Sequence, residues 1–217
     1  LGVAEGLRPV VAESRQLATS FPPQLKEYSP RLNIVSVYVH IIMDAESGQV
    51  LYERNAHERR QIASLTKLFT ATIVIERVKD LDELVTIDEE AVYAEGTRVG
   101  CPRSGFCNGV RLKPGEQLTV RNLLKAALMN SANDAAIALG KHIGKTQDGF
   151  AKIMNERGRE LGLENSNFCT PSGLEPDGRE HECYSSAADI AKVAVHALEY
   201  PEIWEIMRYE KQFISSA

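Results

Sequence analysis

The 217 residues give room for one good-sized domain, or one and a half, and for a core that needs no covalent staples. A net charge of -5, with acidic and basic residues mixed along the chain, leaves no polybasic patch, so nucleic acid and anionic membrane are poor candidates as partners. No apolar run approaches membrane-spanning length.

Residues 1–30 read as an N-terminal lead-in or linker. A short helix over Glu5 to Thr19 is followed by Phe21-Pro22-Pro23 and Ser29-Pro30, where proline favours extended chain. The first residues carry neither a start Met nor a basic-then-apolar leader, as expected of a mature or trimmed product. The domain is expected to occupy 31–217.

Ile34 to Met43 is rich in β-branched residues and predicts a strand buried on both faces. Asp44-Ala45-Glu46-Ser47-Gly48 supplies turn chemistry, and Gln49 to Arg54 returns as the hairpin mate. A helix is predicted from Ser64 to about Val78, apolar nearly all round and therefore central. Leu84 to Ile87 predicts a short strand, followed by a helical turn at Asp88 to Ala91. The stretch 93–116, with five glycines, reads as loops.

Leu118 to Met129 predicts a helix with Thr119 as N-cap, stopping at Asn130-Ser131-Ala132-Asn133, and a second helix restarts at Asp134. Ser131 and Asn133 thus fall on a tight interhelical turn that can aim both side chains outward. Ser, Asn and Asp are ordinary turn and cap residues as well. Further helices are predicted from Asp148 to Leu161, from a Ser185 or Ser186 cap to about Leu198, and from Pro201 to Met207; Lys211 to Ile214 begins a strand.

The four cysteines form two locally spaced pairs. Pairing Cys101 with Cys107 and Cys169 with Cys183 would close two short loops in an oxidising compartment. Free buried thiols, or a zinc site using Cys169, His181 and Cys183, are the alternatives, although the spacing matches no standard finger.

The chemistry-bearing stretch is Gln61 to Ala71, in which Ser64-Leu65-Thr66-Lys67 opens the apolar helix. Residues three apart share a helix face, so the Ser64 hydroxyl can meet the Lys67 amine. A serine attacks poorly unless a neighbour takes its proton, and lysine serves only where its pKa is depressed. Taken alone, a Ser-x-x-Lys is as readily a helix N-terminus with Ser64 in the cap and Lys67 solvated.

Ser64-x-x-Lys67 followed by Ser131-Ala132-Asn133 is the motif order of penicillin-recognising serine enzymes. Asp44 to Tyr52, Leu112-Lys113-Pro114-Gly115-Glu116, Asn130 to Ala136, Thr170-Pro171-Ser172-Gly173-Leu174 and Tyr184 to Asp189 strengthen the likeness. Over roughly 33–217 the chain resembles the serine D-alanyl-D-alanine carboxypeptidases, the low-molecular-mass penicillin-binding proteins.

The resemblance implies a β-lactamase/transpeptidase-like α/β fold: an antiparallel sheet flanked by helices, plus an all-helical lobe. It implies Ser64 as nucleophile, Lys67 as its base, Ser131 as proton relay and Asn133 as holder of the substrate's amide carbonyl. The implied substrate is a peptidoglycan stem peptide ending in D-Ala-D-Ala, with β-lactams as covalent inhibitors, no metal or organic cofactor, and an exported location in the periplasm or on the outer face of the cytoplasmic membrane.

One part is missing. The family's Lys-Thr-Gly strand, which binds the substrate carboxylate and leads into an oxyanion donor, has no match after Ser185; Lys145-Thr146-Gln147 lies in the wrong place. On the resemblance, the chain is the N-terminal part of the domain without three C-terminal strands, to be completed by a further segment or a second chain. Loss of one oxyanion donor costs about 3 kcal/mol, so the 217 residues alone are expected to be nearly inactive. The alternatives are a non-catalytic peptidoglycan-binding or regulatory module and a class A β-lactamase; the latter would want Asp at Ala132 and a deacylating Glu, for which Glu164 could be proposed.

Overall fold

The computed structural model describes residues 38–101, 107, 110–179, 181–209 and 214–217. The predicted helix over 5–19 and the first half of the predicted strand over 34–43 lie outside the described residues. The visible strand, β1 (His40–Met43), pairs antiparallel with β2 (Val50–Arg54), with His40 opposite Arg54 and a register shift at Ile42/Met43. The turn closes as its residues predict: Asp44 Oδ1 accepts from the Ser47 N–H and hydroxyl, and Gly48 takes a left-handed φ of 69°.

All four β1 residues are half-buried, which corrects the expectation of a strand covered on both faces. The hairpin packs β1 against α6 (Ala187–Ala197).

A 3-10 turn (Ala63–Leu65) runs into α1 (Thr66–Arg77). Next come β3 (Leu84–Thr86), α2 (Glu89–Val92), β4 (Gln117–Thr119), α3 (Val120–Met129), α4 (Asn133–Gly144), α5 (Gln147–Glu160), then α6 and α7 (Pro201–Met207). β3 and β4 pair antiparallel, with Val85 opposite Leu118. Thr119 caps α3 by accepting from the Asn122 N–H, and Ser186 caps α6 by accepting from that of Asp189. The predicted strand at Lys211 to Ile214 is corrected at its one described residue: Ile214 is in no strand, and the chain end instead lies along β4, with the Ala217 N–H donating to the Gln117 carbonyl.

α1 is the central rod, packed against α3, α4, α5 and α6. Phe69, Ile73 and Val74 are fully buried with Leu139 of α4, Phe150 and Met154 of α5, and Val193 of α6. Each such side chain contributes about 1.5–3 kcal/mol by leaving water. The far end of α1 is fixed by a half-buried polar knot. The Glu76 carboxylate accepts from Arg157 at 2.8 Å, from His196 Nε2 at 2.6 Å and from the Tyr200 hydroxyl at 3.0 Å. Burial pushes the Glu76 carboxyl up, but those donors outweigh it and hold it below its usual range.

Candidate active site

The 3-10 turn leaves Ser64 exposed while Lys67, one turn on, is 3% exposed. Ser64 caps neither helical segment. Its Oγ instead accepts from Lys67 Nζ at 3.0 Å and from the Ser131 hydroxyl at 2.9 Å. These hydrogen bonds join residues near in sequence at one side and 67 positions apart at the other.

Lys67 has a second acceptor, the Ser172 carbonyl, at 2.8 Å. Burial of the ammonium lowers its pKa from 10.5 to about 8, and no neighbouring charge enters as a cause. About a tenth of the amines are then free at pH 7, against fewer than one in a thousand for an ordinary lysine.

The loop carrying Ser172 is clamped from both sides. The Thr70 hydroxyl, one turn beyond Lys67, donates to the Pro171 carbonyl at 2.7 Å. Gly140 of α4 lets Pro171 approach so closely that a Cβ there would lie 2.3 Å from the proline ring. Gly173, at φ +80°, sits where a Cβ would fall 2.0 Å from the Ala63 carbonyl oxygen, so the loop touches the residue before the serine.

The opposite wall is the turn between α3 and α4. Ser131 takes a left-handed φ of 56°, as does Ala63 at 45°, so residues bordering the Ser64 hydroxyl on both sides occupy backbone that L side chains seldom adopt. Asn133 corrects the expectation that both turn side chains aim outward: it is 5% exposed, and its Nδ2 donates to the Glu95 carbonyl at 2.7 Å. The physical reason is the preceding loop, which returns against the α4 N-terminus: the Asn133 N–H donates to the Thr97 carbonyl, and the Val99 N–H donates to the Asp134 carboxylate. Burial of Asp134 outweighs its N–H donors, raising its pKa. Among the described residues Ser64, Lys67 and Ser131 form one hydrogen-bonded group, and Asn133 borders it without bonding to any of the three.

Both walls carry a disulfide: Cys101 with Cys107 beside the Asn133-binding loop, and Cys169 with Cys183 beside the Ser172 loop. His181 thus has no zinc set to join: among the described residues no cluster of metal-ligating side chains is present. The residues missed from sequence are Thr70, Glu95 and the Ser172 carbonyl. The Thr170 to Leu174 phrase was the available signal, and its main-chain acceptor has no signature of its own.

A serine hydroxyl held between a buried lysine and a second serine is an arrangement for acyl transfer. The family description "D-alanyl-D-alanine carboxypeptidase", peptidase S11, matches residues 27–216. The chain belongs to that family. Relatives of this carboxypeptidase family include DacF of Bacillus subtilis, 34% identical over 168 residues (75% of this chain, 39% of the relative), and DacC of Escherichia coli, 36% identical over 176 residues (80% and 42%). Among solved structures, the D-alanyl-D-alanine carboxypeptidase DacD from Francisella tularensis superposes with a TM-score of 0.69 at 31% identity, covering 79% of this chain and 39% of that one. Penicillin binding protein 5 from Haemophilus influenzae gives 0.67 at 30%, covering 79% and 48%. The chain spans less than half the length of these curated relatives. The fold is the transpeptidase type expected from the sequence resemblance, with helices and small antiparallel sheets.

Proposed function

We propose that the whole protein is a serine acyl-enzyme D-alanyl-D-alanine carboxypeptidase acting on peptidoglycan stem peptides, with 31–217 contributing the N-terminal part of its catalytic domain and 1–30 leading into it. The observation that carries the proposal is the exposed Ser64 hydroxyl bonded to a desolvated Lys67 amine at 3.0 Å. The neutral amine keeps one N–H on the Ser172 carbonyl, which leaves its lone pair free to take the Ser64 proton as Oγ attacks the carbonyl between two D-alanines.

Ser131, already donating to Ser64 Oγ, hands a proton toward the departing D-alanine. Asn133 retains one amide N–H beyond that used on Glu95, and presents it to the substrate's amide carbonyl. Water then hydrolyses the ester. β-Lactams acylate Ser64 in place of the dipeptide. The disulfides support an exported location.

Covalent labelling by a fluorescent penicillin tests this. Labelling that disappears in Ser64→Ala and Lys67→Met supports the assignment. Absence of labelling in the whole protein, with peptidoglycan binding unchanged in Ser64→Ala, identifies a non-catalytic wall-binding module instead.

A further inference from the structure

We propose that the Cys169–Cys183 disulfide is a positioning element for Lys67: it holds the 170–174 loop so that the Ser172 carbonyl stays on Lys67 Nζ, and its reduction by a dithiol slackens the activation of Ser64. The inference rests on Lys67 serving as the base, and deepens that reading by adding a redox condition to it.

The path is short. Cys169 immediately precedes Thr170, and the segment returning from the loop carries Cys183 beside Tyr184, whose backbone pairs with Asn167. Between the two sulfurs the chain first makes the Pro171 and Ser172 contacts to α1, then runs out through Asp177, Arg179, His181 and Glu182 at the exposed tip or half-exposed flank. Thr170 Oγ1 accepts from the Gly173 N–H at 3.1 Å and donates to the Leu174 carbonyl at 2.7 Å, so the Lys67-binding turn is a small closed unit, clamped on its α1 side by Thr70 and joined directly to Cys169 at its start. Its distal limb meets the segment leading to Ser64 through Gln61, whose Nε2 donates to Glu175 in an exposed hydrogen bond. Beyond the main chain itself, the disulfide is the covalent cross-link between the start of the turn and its returning limb, set beside the Asn167–Tyr184 backbone pairing and the Asn167 Nδ2 bond to the Glu182 carbonyl.

A cavity of about 20 Å³ lies against the bridge, lined by Ala63, Thr66, Cys169, Gly173 and Cys183 among others. It adjoins Ala63 and Thr66, the residues that precede Ser64 and Lys67 in the chain. Cys169 is 3% exposed and Cys183 half-buried, so a thiolate attacks at Cys183. The exchange balances: two thiols of the reductant close to a disulfide, and the two electrons and two protons they release leave Cys169 and Cys183 as thiols.

Lys67 faces the Ser64 hydroxyl from its own segment and the Ser172 carbonyl from the loop, with no charged side chain among its resolved influences. Withdrawal of the loop admits water, which removes the burial that lowers its pKa, and each unit of upward shift leaves about tenfold less free amine at pH 7.

The test follows the Lys67 Cε resonance against pH, assigned by its loss in Lys67→Arg, alongside the rate of penicillin labelling. Cys169→Ser/Cys183→Ser separates this bridge from the other; should it not fold, dithiol reduction of Cys101→Ser/Cys107→Ser, which keeps only the bridge in question, provides the same comparison. The expected result is a midpoint moved up by about one unit and labelling slowed about tenfold, with the far-UV spectrum unchanged. A midpoint that stays in place in the folded, reduced protein overturns the proposal, whatever the labelling does. A midpoint that moves in a protein that never labels upholds the strut and defeats the acyl-enzyme reading.

Discussion

Replacing Lys67 by Met should make the folded chain more stable near neutral pH while abolishing reaction at Ser64. The amine's pKa falls from 10.5 when solvated to about 8 in the fold, so keeping the ammonium in its 3%-exposed pocket costs about 3 kcal/mol at pH 7. Because the folded pKa is the lower one, the unfolded chain binds the proton more tightly. The cost is therefore complete below pH 8 and is relieved as pH climbs toward 10.5, being about 2 kcal/mol at pH 9 and nearly gone at 10.5. Met has similar length and no charge, but it leaves the Ser172 carbonyl without its donor, at about 1 kcal/mol. The net advantage of Lys67→Met is about 2 kcal/mol at pH 7, and it reverses sign near pH 10. Urea unfolding at pH 7, 9 and 10.5 reads this directly. A variant less stable than the parent at pH 7, or a difference that does not change with pH, would refute the assignment of a desolvated amine.

With Lys67 as the proposed base, the same titration sets the rate of reaction at Ser64. Penicillin labelling should rise about tenfold per unit below pH 7, pass half-height near pH 8 and level above 9; a flat profile from 6 to 9 would exclude Lys67 as the base. Gly173→Ala drives a methyl group into the Ala63 carbonyl from a φ of +80°, and should cost more than about 2 kcal/mol and most of the labelling, measured by thermal melting and gel fluorescence. Glu76→Gln leaves Arg157 and His196 without their shared carboxylate, far from Ser64, and should cost about 2 kcal/mol at pH 7 with labelling of the folded protein intact. Since the folded Glu76 pKa lies below its ordinary 4.5, that stability is present above 4.5 and lost as pH falls, so parent and variant melting curves should converge in acid.

Periodicity and cap chemistry made the helices legible: the Thr119 cap, the end of α5 at Glu160 within a residue of the expected Leu161, and the Pro201 start are local signals whose partners lie within a few residues. The Ser64–Lys67 contact was legible for the same reason. What escaped were contacts between distant segments made by main-chain atoms. The Ser172 carbonyl sits 105 residues from Lys67 and the Glu95 carbonyl 38 from Asn133, and every residue type offers a carbonyl. Asn133 was misjudged as outward for that reason. The two-sided burial expected of β1 failed because β-branched composition records fit to a pleated surface, and the number of layers over it depends on the rest of the fold.

The position of α1 also bears on how the molecule breathes. Amide protons in a rod packed against four other helices should exchange with solvent more slowly than those of the turns at Ala63 and Ser131. Ser64 thus stands between the slower-exchanging helix and the faster-exchanging turns. Its lysine partner is anchored in the former, and the serine can adjust to an incoming carbonyl from the latter.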